Sequence, residues 1–341
     1  MSSLRMAERK ARLSSWRPLH GVLFALSLVA PLGITLGLGG GDALKAVTHF
    51  PLGVLALMLA LAVLCWNLNA ARLRLMLDGR AGHLGQRGAL TIEMASKFAL
   101  CATPGGSGGP ATLLLLLAQR GLSPAKGAGV FLVDQGCDLL FFMGMLTGLT
   151  LFSLFTEVTW PHQDLVQLAL AGLALIAASL SVMILSLPWL LRRDPPPGMA
   201  KLAPRRRRWL ARRLLSCRAA LRTTLRLPTT TLLAMLLLTA AHWLLRYSLL
   251  YLAVLGAGGH ADWVWSFLTQ TLAMAASQLS ILPGGAGAVE VGVGALLLPL
   301  MEREQAGVAV LVWRLVTYHF YLAAGAPFFL LTAYRVIRPS R

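Results

Sequence analysis

Long apolar runs alternate along this chain with short segments that are rich in Lys and Arg. Six runs have the length of about 20 residues that a helix needs to cross a bilayer. They cover approximately residues 19–38, 51–75, 128–155, 165–191, 230–255 and 305–333. Basic residues mark cytoplasmic loops, and they place both termini inside, with an outer loop at 39–50. The basic residues that return the second run to the cytoplasm are Arg72, Arg74, Arg80 and Arg87.

Two further apolar stretches, residues 88–120 and 263–300, are interrupted by Gly and Pro, which are the poorest helix formers. The breaks are Pro104–Pro110 and Pro283–Gly287. Irregular backbone at membrane depth must be buried in protein or line a cavity, because it cannot face lipid. We predict that each stretch is a re-entrant helical hairpin, although a broken full-span helix would leave the same pattern.

The two breaks align with each other at one fixed offset along the chain. The aligned residues are Pro104, Gly105, Gly106 and Gly108 with Pro283, Gly284, Gly285 and Gly287. Upstream, Trp66 aligns with Trp243 at almost the same offset. Because the first repeat starts outside and the second inside, we predict an inverted-topology repeat. Such repeats are typical of secondary transporters, whose sites lie near the midplane.

The domain organisation follows from these elements. We predict a basic cytoplasmic N-terminus, two membrane halves joined by a basic cytoplasmic loop, and a basic tail. The first half carries one repeat at about 51–155, and the second half carries the other. The segments are 1–18, 19–191, 192–228, 229–334 and 335–341.

Composition supports a membrane protein. The chain is 57% hydrophobic and 13% charged, against about 45–50% and about 25% in soluble domains, which disfavours a soluble enzyme or a disordered chain. The net charge is +18, and residues 192–226 hold twelve Lys or Arg and one acid. Trp209 is the one aromatic residue among them, so the segment lacks the repeated interleaving of aromatic and basic residues that is typical of nucleic-acid-binding proteins. We therefore interpret the charge as a topology signal that also attracts anionic lipid headgroups, and expect no nucleic-acid partner.

Recognisable catalytic and metal-binding motifs are absent from the sequence. The four cysteines form no CxxC pair, and the glycine clusters lack the preceding strand of a dinucleotide site. We expect neither enzymatic activity nor a metal or other cofactor.

Ionisable residues inside apolar segments are costly and commonly mark sites or structural pairs. Those in this chain are Glu93, Lys97, Asp134, Asp138, His242, Arg246, Glu290 and Arg314. Glu93 and Lys97 have the spacing of a helical ion pair. Asp134 and Asp138 share a helical face, so at least one needs water or a cation, such as Arg246 or Arg314.

Glu290 begins the second arm of the second hairpin, where a helix dipole by itself favours a carboxylate. The functional alternative is a Glu290–Arg314 pair that binds or gates a charged headgroup, since Arg314 offers a planar fork for phosphate. Tyr318 and His319, one turn further on, suit either packing or the site. The predicted substrate site comprises Glu290, Arg314, the aligned Pro and Gly residues of both breaks, Asp134 and Arg246.

The motif LPGGAGAVE (Leu282–Glu290), followed by Arg314 in VWRLVTYH, resembles the membrane domain of lysylphosphatidylglycerol synthases. KFALCATPGGSGG and VDQGCDLL, with Asp134, are similar in the first half. The resemblance spans about 20–335 and implies a flippase-like membrane protein; without the synthase domain, lipid aminoacylation is not implied.

The first half departs from the family pattern. The family commonly has an acid and an arginine where this chain has Pro110, Ala111 and Thr112, and a Glu-Arg pair where it has Asp134-Gln135. The resemblance therefore implies that the second half carries the stronger headgroup site.

These patterns favour a bacterial inner-membrane translocase that moves a polar-headed phospholipid or lipid-linked precursor between leaflets by alternating access. Its partners would be membrane lipids, most readily anionic ones. One alternative is a non-transporting membrane partner of a lipid- or glycan-synthesising enzyme. Another is a secondary transporter of a small solute or ion.

Overall fold

The computed structural model describes residues 18–78, 84–155, 226–277 and 280–337, together with isolated positions between 164 and 223. The chain is helical throughout these ranges apart from short connections. In chain order the helices are α1 (Pro18–Thr48), α2 (Leu52–Leu77), α3 (Gln86–Ala102), α4 (Gly108–Gln119), α5 (Pro124–Phe155), α6 (Thr229–Gly256), α7 (Trp263–Ser277), α8 (Ala288–Leu297), α9 (Arg303–Arg314) and α10 (Phe320–Ile337). A π-helical turn, Leu315–His319, joins α9 to α10.

Within the described residues, five helical segments are long and apolar enough to cross a membrane. They lie in α1, α2, α5, α6 and the continuous run from α9 to α10, and they match five of the six predicted crossings. The all-α polytopic fold is therefore confirmed. The sixth predicted crossing, at 165–191, and the basic loop after it lie largely outside the described residues.

The last span is the most enclosed of the five. Within its most apolar window 78% of the residues are buried, whereas the other four spans reach at most 33%. Along one side it packs closely on α1: the Thr35 hydroxyl donates to the Gly307 carbonyl at 3.2 Å, and Gly39 faces the backbone of Arg303 and Glu304. The last span is thus an interior helix that its neighbours largely cover.

The predicted outer loop at 39–50 contains helix over most of its length, because helical residues extend to Thr48; its position outside the membrane stays a prediction. Gly40 adopts the non-helical angles φ 65° and ψ −156°, so two helical stretches meet at a kink close to the predicted end of the first run at residue 38. Glycine reaches this backbone region at little cost. Helical residues resume beyond the kink, and Ala43 is fully buried there, so tertiary packing sustains helix where glycine alone indicated a loop.

The first interrupted stretch folds back on itself between α3 and α4. Near the break, a Cβ at Gly109 would lie 2.8 Å from Cβ of Leu100. At the far end, a Cβ at Gly88 would lie 3.3 Å from the guanidinium of Arg120. Both ends of the two arms are therefore adjacent, which makes this stretch an antiparallel hairpin and excludes a broken helix that continues in one direction.

The second interrupted stretch has the same construction in α7 and α8. Trp265 Nε1, early in α7, donates to the Leu296 carbonyl late in α8 at 3.1 Å. Nearer the break, Gly292 lies against Ala273. The longest arm of either hairpin has 17 residues, which is about 26 Å at a rise of 1.5 Å per residue. Each arm is thus shorter than the apolar core of a bilayer, about 30 Å.

Packing divides the chain into two compact units, each described by itself below. The first unit is Met1–Leu59, Ser96–Gly109 and Ser248–Leu331, and the second is Ala60–Ala95, Pro110–Tyr247 and Thr332–Arg341. Each unit combines segments from both predicted membrane halves, so the packing units differ from the halves that the sequence pattern defines.

Candidate functional site

The glycine breaks of the two hairpins meet within the first unit and have the same backbone conformation. Pro104 and Pro283 form an isolated antiparallel β-bridge. The two glycines that follow each proline have left-handed φ angles, 59° and 66° in the first break and 64° and 68° in the second. L-residues with a side chain rarely adopt such angles, which explains why glycine occupies both positions in both breaks.

The hydrogen bonds of the two breaks also correspond. In the first break the amide of Gly106 donates to the Thr103 carbonyl at 3.1 Å. In the second break the amide of Gly285 donates to the Leu282 carbonyl at 3.2 Å. Aligned residues of the two breaks thus make corresponding hydrogen bonds, as the alignment predicts.

The second unit contains another contact between equivalent residues. Cys65 and His242 align at the same offset that relates Trp66 to Trp243. The Cys65 thiol donates to the His242 carbonyl at 3.6 Å, and Nδ1 of His242 lies 3.3 Å from the Cys65 carbonyl oxygen. Reciprocal contacts between equivalents arise where a local two-fold axis passes between them. This contact and the proline bridge support the inverted repeat.

Glu290 and Arg314 form a buried ion pair beside the second break. The Arg314 Nε donates to Oε1 of Glu290 at 2.5 Å, and its Nη2 donates to the Gly284 carbonyl at 3.1 Å. Glu290 is 0% exposed and Arg314 is 3% exposed. One guanidinium therefore connects the second arm of the hairpin, the backbone of the break and the last span.

The Tyr318 ring packs against the Arg314 side of this pair. Its ring centroid lies 4.7 Å from the Arg314 guanidinium carbon, a distance suited to cation–π attraction. Its hydroxyl shares a hydrogen bond of 2.8 Å with Ser27 in α1. A Cβ at Gly284 would overlap the Tyr318 ring, so the break approaches this ring as closely as only glycine permits. Tyr318 thus belongs to the site as well as to the packing.

The π-helical turn begins directly after Arg314. π-helical turns are rare in proteins, and those that do occur often lie at functional sites. Its last residue, His319, places Nδ1 3.2 Å from the Arg314 carbonyl oxygen and Nε2 3.0 Å from the Leu28 carbonyl oxygen. The turn therefore connects the backbone at Arg314 to α1.

The Glu290 carboxylate has one satisfied and one unsatisfied oxygen. Oε1 accepts from Arg314, whereas Oε2 is buried and has no hydrogen-bond partner among the residues that the structure describes. Glu290 also lies in the first turn of α8, where the helix dipole favours its charge. A buried carboxylate oxygen ordinarily has a donor, so this atom marks a place for a further proton or ligand.

A second buried charge centre lies in the second unit, and its cation is Arg72. Arg72 Nη2 lies 2.5 Å from Asp134, and its Nη1 donates to Asp138 at 2.6 Å. The sequence suggested Arg246 or Arg314 for these carboxylates; the structure places Arg72 against both. Arg246 is half-buried in α6, and its role in a substrate site stays a prediction.

Arg72 also corrects the predicted topology signal. Its side chain is 5% exposed, so it is a buried ion-pair partner inside α2 and not one of the loop charges that return this helix to the cytoplasm. Arg80, assigned to the same loop, lies outside the described residues. The sequence offered one clue, since the predicted second run, 51–75, extends beyond Arg72.

α6 completes the second centre with two residues that were not among the predicted site residues. The Thr239 hydroxyl accepts from Arg72 Nη1 at 2.9 Å. The Trp243 Nε1 donates to Asp138 at 2.9 Å. Asp138 therefore accepts from two spans, and the centre connects α2, α5 and α6. The alignment of the two repeats pointed to Trp243, but nothing in the sequence pointed to Thr239.

The first repeat lacks the ion pair of the second, and its equivalent positions have different surroundings. In the alignment of the two breaks, Glu290 corresponds to Ala111 and Arg314 corresponds to Gln135. Ala111 and Gln135 are both exposed, whereas Glu290 and Arg314 are buried. Both members of the pair are absent together, which avoids an uncompensated charge within the membrane.

The remaining predicted site residues have local roles. Gly108 donates its amide to the Thr103 hydroxyl at 2.8 Å at the start of α4, and Gly287, with φ 83°, precedes α8. Glu93 and Lys97 are both half-buried in α3, and the structure shows no ion pair between these two described residues. The pairing expected from their spacing is therefore not formed.

Comparison with known sequences is consistent with the geometry. The sequence profile described as "Lysylphosphatidylglycerol synthase TM region" matches residues 19–325, which is most of the chain. The protein belongs to this family. The matched region contains both hairpins and the Glu290–Arg314 pair. A membrane role is therefore shown, as is the family that the sequence motifs suggested.

The chain is also similar to a UPF0104 membrane protein from Archaeoglobus fulgidus. The two chains are 25% identical over 277 residues, which cover 78% of this chain and 82% of the relative. The similarity thus extends along most of both proteins and is not confined to one hairpin.

Proposed function

We propose that this protein moves a polar-headed membrane lipid, either a phospholipid or a lipid-linked precursor, between the leaflets by alternating access. The observation that carries the proposal is the buried guanidinium of Arg314 beside a break between two helical arms. Transporters place substrate sites at such discontinuities near the midplane. Ionisable residues at membrane depth commonly mark a substrate pathway.

A lipid phosphate suits Arg314 chemically. A guanidinium presents five N–H donors in a planar fork that matches phosphate oxygens. In this structure Nε donates to the Glu290 carboxylate and Nη2 donates to the Gly284 carbonyl. A phosphate would therefore compete with the carboxylate and the carbonyl for the same donors. Exchange between these partners gives the site a bound and an unbound arrangement.

The inverted repeat supplies a way to reverse access. Two hairpins with the same break conformation enter from opposite faces in the predicted topology, and their breaks touch at Pro104 and Pro283. Repeats of this kind exchange their conformations when a transporter changes the side that is open. The acyl chains would remain in the bilayer throughout, because only the headgroup needs a polar path.

The proposed location is the bacterial inner membrane, with both termini in the cytoplasm. The Lys and Arg distribution supports this orientation. The proposed partners are membrane lipids with anionic headgroups, which the basic segment at 192–226 would attract.

Lipid exchange in reconstituted vesicles tests the proposal. The full chain is placed in phosphatidylcholine vesicles with a trace of fluorescently labelled phosphatidylglycerol, and the fraction of label open to an impermeant quencher is followed over time. Glu290→Gln and Arg314→Ala should each slow exchange at least about tenfold, the effect of about 1.4 kcal/mol on a barrier. Arg335→Ala, an exposed change in the same span, should exchange at the wild-type rate.

Two outcomes would contradict the proposal. Wild-type vesicles that exchange label no faster than protein-free vesicles would exclude translocation of this lipid class. Wild-type rates in both site variants would exclude Glu290 and Arg314 as the site.

The altered first repeat favours a second candidate function. Its missing ion pair, at Ala111 and Gln135, suits a protein that acts as a non-transporting partner of a lipid- or glycan-synthesising enzyme. The basic run Arg205–Arg208 is a docking segment on this hypothesis. Replacing it with Gln should then abolish recovery of an enzyme partner while any lipid exchange stays unchanged.

A further inference from the structure

The charge balance of the Glu290–Arg314 pair limits what it can bind. The pair is neutral when both groups are ionised, and both side chains are almost completely buried. A phosphate diester bound to Arg314 would leave two negative charges against one positive charge. An uncompensated buried charge costs several kcal/mol, so a further positive charge must enter with the phosphate.

The Glu290 carboxylate can accept that positive charge as a proton. Its Oε2 is buried and accepts no hydrogen bond, while Oε1 holds Arg314. A proton on the carboxyl group removes its negative charge. It also frees the Nε of Arg314, which then turns its donors to the phosphate.

We infer that Glu290 takes up one proton when a phosphate diester binds Arg314, so that the site binds a proton and a phosphate together. This inference rests on the proposed function for the lipid nature of the phosphate. The same chemistry would apply to a soluble phosphate diester. On this inference, the ion coupled to the proposed transport is a proton, and the carboxyl group of Glu290 carries it.

The other titratable groups near this centre do not replace Glu290 in this role. Tyr318 lies beneath Arg314, and Cys101 of α3 lies near Tyr318. A phenol and a thiol are ordinarily neutral near pH 7, and a guanidinium stays charged. His319 contacts the carbonyl oxygens of Arg314 and Leu28 rather than the carboxylate. Because histidine is the side chain whose charge ordinarily changes between pH 5 and pH 8, the test includes a variant at this position.

Linkage fixes the size and the sign of the effect. Where free Glu290 is ionised and bound Glu290 is protonated, binding takes up one proton. The affinity for phosphate diester then falls about tenfold for each unit of pH increase. A phosphate diester keeps its single charge across neutral pH, so the ligand itself contributes no pH dependence.

Calorimetry of the purified full chain measures the proton directly. The probe is dihexanoyl-phosphatidylglycerol, a soluble diester lipid, titrated into protein in a neutral detergent between about pH 6 and about pH 8. Each titration is run in two buffers of different ionisation enthalpy, because proton uptake makes the apparent binding enthalpy depend on the buffer. The wild type should take up about one proton for each lipid bound, with the affinity falling as pH rises.

The variants separate the contributions of the two residues. Glu290→Gln imitates the protonated carboxyl group, so it should bind the probe without proton uptake and without pH dependence. Arg314→Ala should lose at least about tenfold in affinity, since it lacks the phosphate donors. Glu304→Gln changes an exposed carboxylate in the same span, and it should behave like the wild type. His319→Gln should still take up about one proton for each lipid bound, whatever its affinity. A thermal midpoint for each variant shows that it is folded.

The outcomes distinguish this inference from the proposed function. Wild-type binding without proton uptake, or uptake that persists in Glu290→Gln or disappears in His319→Gln, would overturn the inference while lipid exchange still supports translocation. Binding unchanged in Arg314→Ala would overturn this inference and would exclude Arg314 as the phosphate site of the proposed function. Glycerophosphoglycerol, the headgroup without acyl chains, is titrated in parallel, and tighter binding of the lipid assigns the site to lipid. Equal binding would make the ligand a soluble phosphate diester.

Discussion

Pro104 and Pro283 lie opposite each other in an antiparallel bridge, although they belong to different halves of the chain. Each proline is the first residue of its Pro-Gly-Gly break. A residue pairs with its own equivalent in this manner where a local two-fold axis passes between the two strands. The junction of the hairpins is thus nearly symmetric in its backbone, whereas the charged pair beside it belongs to the second repeat alone.

Alanine should be tolerated differently at the equivalent positions Gly284 and Gly105. Both glycines have left-handed φ angles, 64° and 59°, which cost an L-residue about 1–2 kcal/mol. A Cβ at Gly284 also overlaps the Tyr318 ring, whereas nothing lies within 4 Å of a Cβ at Gly105. Overpacking adds about 1–3 kcal/mol. In a thermal unfolding assay in detergent, Gly284→Ala should lower the midpoint more than Gly105→Ala. Equal midpoints would contradict the packing of Tyr318 on this glycine.

Exchanging the charges of Glu290 and Arg314 should separate stability from function. Each single change, Glu290→Gln or Arg314→Ala, leaves a buried charge without its partner and should cost about 3–5 kcal/mol of unfolding free energy. The double variant Glu290→Arg with Arg314→Glu restores a neutral pair and should recover part of that stability. Lipid exchange should remain as slow as in the single variants, because the guanidinium no longer extends from the last span. Recovery of exchange in the double variant would show that charge balance alone is needed.

Arg72 and Asp138 should be strongly coupled energetically. Arg72→Gln removes the cation that both carboxylates of the second centre share, so it should destabilise the protein by about 3–5 kcal/mol. Asp138→Asn in that background removes one of the uncompensated charges and should restore part of the loss. A double-mutant cycle on unfolding free energies measures the coupling, with Arg335→Gln as an exposed control. Additive effects would show that the two side chains do not stabilise each other.

Two tryptophans allow a matched comparison of hydrogen bonds. Trp243 donates to the carboxylate of Asp138 at 2.9 Å, whereas Trp263 donates to the neutral hydroxyl of Ser248 at 2.8 Å. Phenylalanine keeps an aromatic ring at either site and removes the donor. Trp243→Phe should cost about 1.5–3 kcal/mol and Trp263→Phe about 1 kcal/mol, since bonds to charged groups are stronger. Chemical unfolding of both variants checks the order, and a larger loss at Trp263 would contradict a charged Asp138.

The features that depend on local properties follow from the amino-acid sequence alone. Bilayer length predicted five of the described spans, and glycine and proline predicted the two helical breaks. The fixed offset between the breaks located equivalent positions before any contact was known. Glu290 and Arg314 were paired correctly because the second repeat contains one prominent carboxylate beside its break and one arginine in the following span.

Which distant groups contact each other depends on how the helices pack. Several cations were available for Asp134 and Asp138, and the choice of Arg72 depends on how the helices are rotated about their own axes. Periodicity in one helix holds no information about that rotation relative to another helix. Packing on the last span likewise kept α1 helical beyond Gly40. The unsatisfied oxygen of Glu290 is also a property of the packed site, because burial and the position of every neighbouring donor together determine whether an atom has a partner.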